Sequence, residues 1–167
     1  MKKQTTSIRR QIIFFMIILF ASGLTAIPVE TELAFLSRCF SPGTMIGAWI
    51  EKVYIGVSNT NNDYPFIAYG YDWLAFAHFV LAILFIGPLQ DPVRNKWVIE
   101  FGMIACLLII PFALIAGQFR GIPFWWRLID CSFGIIGIIP LSVCLKAIYK
   151  LEKESTKNHQ YEIIAQI

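Results

Sequence analysis

Three long apolar runs constrain this chain more than any other feature of its sequence. Residues 73–88 are apolar apart from His78, and residues 97–117 carry one charge, Glu100. Residues 125–149 hold Arg127 and Asp130 in their first turns and are then uncharged until Lys146. Crossing a hydrocarbon core takes about 20 mainly apolar residues at about 1.5 Å of rise each. A chain of 167 residues cannot hide three such runs in a water-facing globule, because too much of its surface lies outside any core. Charged residues make up only 15% of the sequence, where a soluble domain carries about 25%. Lipid is the solvent that removes the conflict.

A fourth run, residues 12–28, follows Lys2, Lys3, Arg9 and Arg10 and contains Ala21-Ser22-Gly23, which a signal peptidase accepts. Its apolar stretch is longer than the roughly 7–15 residues of a signal core, so it is expected to stay as a first span. The expected fold is an all-α integral membrane protein. It is a four-transmembrane-helix bundle of one domain, 1–151, with spans at about 11–28, 72–88, 93–117 and 124–150.

Basic residues set the expected orientation. With the N-terminus inside, the inner segments hold Lys2, Lys3, Arg9, Arg10, Arg94, Lys96, Lys146, Lys150, Lys153 and Lys157, and the outer ones only Arg38, Lys52, Arg120 and Arg127. That bias places both termini in the cytoplasm, in a membrane of the bacterial cytoplasmic type. Trp49, Trp73, Trp125 and Trp126 then fall at the outer interface and Trp97 at the inner one, where indole rings prefer to sit.

Between the first two spans, residues 29–71 form an extracytoplasmic cap. Ser41-Pro42 has the form of an N-cap followed by proline at the first helical position. After it, Met45, Ile46, Trp49, Ile50, Val53 and Val57 recur at helical spacing, opposite Glu51, Lys52 and Ser58. This predicts an amphipathic helix of about a dozen residues in the interface. Ser58 to Pro65 reads as a loop, because its residues favour turns. Asp91-Pro92 reads as the start of the third helix, after Gly87-Pro88 has ended the second. Residues 152–167 read as a polar cytoplasmic tail, frayed and then disordered.

Small residues mark the faces on which the helices meet. The stripes are Tyr71, Ala75, His78 and Ala82 on the second span, and Gly102, Cys106, Ile109, Ala113 and Ala116 on the third. On the fourth, Arg127, Asp130, Gly134, Gly137, Leu141 and Cys144 recur at steps of three and four. Small side chains let helix backbones approach closely in lipid. Pro111 and Pro140 are expected to kink the last two spans and free the carbonyls of Leu107 and Ile136.

Ionisable groups within spans are costly and face protein or water. Asp72, His78, Arg127 and Asp130 are the candidates for an outward-facing acid–base site, with Tyr69, Tyr71, Arg120 and Trp126 at its rim. The plainer expectation is an Arg127–Asp130 pair, three residues apart, with His78 bonded to a backbone or hydroxyl group. No cofactor or metal is expected. His78 is the only histidine in a span, and Cys39, Cys106, Cys131 and Cys144 form no C-x-x-C. The net charge of +3 does not suggest nucleic acid.

Length, four spans and an aspartate early in the last helix resemble the lipoprotein signal peptidases in outline. That family uses two aspartates in Asn- and Asp-containing motifs. Here the third span ends Ala116-Gly117-Gln118-Phe119-Arg120, without an aspartate, so Asp130 would fill only one of the two positions. The leading functional expectation is an accessory or subunit protein, in contact with membrane lipid and with a membrane-protein partner or a second copy. The alternatives are an embedded enzyme acting on a lipid or lipid-linked substrate, and a small oligomeric transporter.

Overall fold

The computed structural model describes residues 2–165, with side chains for residues 5–154, 156 and 157. Every regular element among them is helical. We number the helices α1 (Lys2–Ala26), α2 (Val29–Cys39), α3 (Met45–Asp63), α4 (Tyr69–Leu84), α5 (Ile86–Gln90), α6 (Lys96–Phe119) and α7 (Phe124–Ala165), with a short 3-10 turn at Pro65–Ile67. Four stretches are long and apolar enough to cross a membrane: Thr5–Ala26, Pro65–Gln90, Lys96–Phe119 and Phe124–Glu154. The chain divides into two compact units, Met1–Ile17 with Ile83–Ile167, and Ile18–Ala82.

In the first unit, α6 and α7 form a helical hairpin joined by a tight turn. The backbone N–H of Ile122 donates to Gly117 and that of Gly121 to Gln118, which is the Schellman pattern that satisfies the last carbonyls of a helix. Gly121 sits at φ 66°, a conformation only glycine adopts without cost. Pro123 follows and cannot extend the helix.

Glycines then set how close α6 and α7 come. A Cβ added at Gly134 would lie against the carbonyl oxygen of Cys106, and one at Gly137 would meet the Cys106 Sγ at 2.7 Å and the Phe15 ring at 3.3 Å. One at Gly102 would meet Phe85 at 2.8 Å and Leu141 at 3.0 Å. The expected stripe on α7 is therefore the packed one; buried Cys131 widens it beside Asp130, and Ile148 extends it beyond Cys144. On α6 the stripe holds at Gly102 and Cys106 but opens at Ile109, which is exposed. The first turns of α1 join this core: Ile8, Ile12 and Phe15 are buried, Phe15 stacks on Phe85 with centroids 4.8 Å apart, and the Cys144 thiol donates to the Ile8 carbonyl at 3.6 Å.

In the second unit, the last turns of α1 meet α4 at Gly23. A Cβ there would strike Phe79 at 2.7 Å and the Ala75 carbonyl and His78 Cβ at 3.0 Å. Ala75 and Ala82 are buried, as the spacing predicted, and His78 is half-buried. The segment 29–63 differs from expectation. It is a hairpin of two helices, α2 and α3, and α3 begins after Thr44 rather than after Ser41. The Thr44 hydroxyl accepts from the Gly47 N–H at 3.0 Å and donates to the Ser41 carbonyl at 2.8 Å, so Ser41 supplies the turn and Thr44 the cap.

Residues 58–63, expected as loop, are the last turns of α3. Turn propensity loses there to hydrogen bonding: Asn61 donates to the Glu30 carboxylate of α2 at 2.7 Å, and the Thr60 hydroxyl donates to the Gly56 carbonyl. Three other boundaries move. Pro88 lies inside α5 instead of ending the second span. It has no N–H to donate to the Leu84 carbonyl four residues back, and α4 stops at that residue. Asp91 accepts from the Arg94 N–H at 3.0 Å, yet it caps a separate turn, and α6 starts only at Lys96. The last helix runs on to Ala165, through the segment expected to fray.

Candidate functional site

The four candidate residues divide between the two units: Asp72 and His78 in one, Arg127 and Asp130 in the other. Arg127 and Asp130 share a face of α7, as three-residue spacing requires, yet they do not pair. The Arg127 guanidinium turns instead to the end of α6. Its Nη1 donates to the Leu114 carbonyl at 3.2 Å, and its plane lies 5.4 Å from the Phe124 ring centroid. Its stem lies over Gly117, where a Cβ would meet the Arg127 Cδ at 2.5 Å. The expected Arg127–Asp130 pair is thus corrected to a tether from Arg127 to the Leu114 carbonyl of α6, which crosses the hairpin and takes the guanidinium away from Asp130. Asp130 is left half-buried at the end of the packed stripe.

His78 behaves as the plainer expectation had it. Its Nδ1 lies 2.7 Å from the Leu74 carbonyl one turn back. A carbonyl only accepts, so Nδ1 is the donor. Asp72 and His78 are six residues apart on one helix and so point about 120° apart. They are not an acid–base pair on one face. Asp72 instead belongs to an open groove with Tyr69, Trp73 and Phe76. Of the expected rim residues, Tyr69 alone lines that groove. Among the described residues no three metal-ligating side chains cluster.

Comparison with known proteins brings up no matching family model, no matching curated protein and no matching solved structure.

Two polar clusters were not visible in the sequence. In the first unit, the Lys96 ammonium of α6 bridges both carboxylate oxygens of Glu152 on α7, at 3.1 and 3.2 Å. It also lies 4.7 Å from the Tyr149 ring centroid, and the Tyr149 hydroxyl donates to Glu100 at 3.3 Å. Tyr149 and Glu152 are three apart, a spacing too common to single out. In the second unit, hydrogen bonds from Asn61 and then Ser58 hold the Glu30 carboxyl below its usual range. Each cluster ties one helix to its neighbour.

Proposed function

We propose that this chain is a multi-pass membrane protein that acts as an accessory or subunit, with both termini cytoplasmic in a membrane of the bacterial type. Four helices suited to crossing a membrane support the first part. One observation carries the second. The ionisable groups with most capacity for chemistry serve the scaffold: Arg127 is tied to Leu114 of α6 and His78 to Leu74 of its own helix. The spans meanwhile present large apolar side chains outward, among them Phe112, Phe119, Phe133 and Ile139. Such faces meet lipid or another helix, and helix–helix contact in lipid is decided by packing and by polar groups at the seam.

Purification of the tagged chain in mild detergent, followed by cross-linking and mass spectrometry, tests this reading. A stoichiometric membrane-protein partner, or a defined oligomer of the chain, is the expected result. A monomer whose cellular phenotype is lost on Asp130→Asn at unchanged abundance would sink it, and would favour an embedded enzyme that uses Asp130.

A further inference from the structure

On the first turns of α4, Tyr69, Asp72, Trp73 and Phe76 line an open groove of about 250 Å3. The three rings fall at i, i+4 and i+7, on one face of the helix. They meet edge to face, Tyr69 and Trp73 at 5.8 Å between centroids and Trp73 and Phe76 at 5.6 Å, with interplanar angles of 81° and 90°. Contacts through ring edges leave part of the ring faces uncovered. All three rings are more than half exposed, and the Asp72 carboxylate beside them is exposed. It takes no hydrogen bond or ion pair from any described side chain.

Charge and surface together select the ligand. Open aromatic faces and a carboxylate both attract a positive charge. A divalent metal ion is a poor fit, because hard cations require several oxygen ligands, while the groove is lined almost wholly by apolar surface and has one carboxylate, that of Asp72, at its edge. A substituted ammonium satisfies both halves: its alkyl groups lie against the rings and its charge lies near the carboxylate. The groove also lies within the first dozen residues of Pro65–Gln90, and the ends of a span are where headgroups are found.

We propose that Tyr69, Asp72, Trp73 and Phe76 bind a substituted ammonium group, carried by a lipid headgroup or by a free small molecule. The lipid source rests on the membrane reading above. The test uses the full chain in phosphatidylglycerol nanodiscs doped with phosphatidylcholine or phosphatidylethanolamine, with retained lipid read by native mass spectrometry. A parallel arm titrates tetramethylammonium chloride against sodium chloride at equal ionic strength. It reads tryptophan fluorescence, with Trp73→Phe assigning the signal.

Preferential retention of the ammonium lipids with no response to the free ion assigns a headgroup site, and a saturable response to the free ion assigns a small-molecule site. In either case Asp72→Asn and Trp73→Leu should each weaken binding by about tenfold, equivalent to about 1.4 kcal/mol. Asp72→Asn preserves shape at an exposed position, and Tyr69→Leu repeats the comparison if either variant loses helix content. The proposal is overturned if neither arm responds, or if the preference survives these substitutions. Alkaline carbonate extraction separates the two readings. A chain released by carbonate fails the membrane reading, and one that stays bound without any ammonium preference fails the groove alone.

Discussion

Replacing Gly134 by alanine tests the closest helix contact in the first unit. The new methyl group would lie against the Cys106 carbonyl oxygen, with Ile109 Cβ at 3.4 Å and the Cys106 carbonyl carbon at 3.5 Å. A backbone oxygen cannot rotate aside, so α6 and α7 must separate. Overpacking of this kind costs about 1–3 kcal/mol. Alanine also favours helix over glycine by about 1 kcal/mol, which would mask part of that cost. Gly56→Ala supplies the correction, because Gly56 lies within α3 and has nothing within 4 Å of an added Cβ. Subtracting the two cancels the propensity gain and leaves the steric cost of about 1–3 kcal/mol. At about 2–4 °C per kcal/mol for a chain of this size, Gly134→Ala should melt several degrees below Gly56→Ala. Circular dichroism in one detergent measures both. Equal stabilisation by the two substitutions would refute the close approach, and with it the account of why glycine stands at position 134.

Arg127→Ala should lower thermal stability by removing its bond to the Leu114 carbonyl, whereas Asp130→Asn breaks no bond and should change it little; an equal loss in both, largely recovered in the double variant, would restore the ion pair. Gly121→Ala should cost about 1–2 kcal/mol in thermal stability from its left-handed backbone, and Gly121→Asn clearly less. Glu30 has a lowered folded-state pKa, so its support for the α2–α3 hairpin is full above the unfolded carboxylate value of about 4.3 and is lost as pH falls through the lower folded value. The protection factors of the hairpin amides, which correct hydrogen exchange for its intrinsic pH dependence, should fall over that acid range, and Asn61→Ala should flatten the response by removing the main cause of the shift.

The sequence revealed whatever depends on composition and period. Four apolar lengths, the prolines inside α6 and α7, and the small-residue face of α7 follow from bilayer thickness and 3.6-residue geometry alone. Long-range hydrogen bonds were not legible. Nothing local to Asn59, Asn61 and Asn62 says that Asn61 finds Glu30, 31 residues away, and without that bond the segment reads as turn. The same limit explains Arg127. Spacing brings Asp130 within reach, but the competing acceptor, Leu114, lies on another helix. Of the candidate site, the positions were legible and the partners were not. Asp72 was singled out for its charge, while Trp73 read only as a membrane-belt aromatic and Phe76 drew no reading.

The burial of Ile8 and Ile12 has a consequence for biosynthesis. The Ile8 carbonyl receives its hydrogen bond from Cys144, 136 residues later in the chain. At about 5–20 residues per second, the ribosome needs about 7–27 s to add that interval. Throughout it, the first helix lacks the neighbour that completes its packing. The second unit, Ile18–Ala82, is contiguous and can form meanwhile. A chain arrested before α7 would hold one finished unit and an unclaimed helix, and that bare face is what quality control would have to recognise.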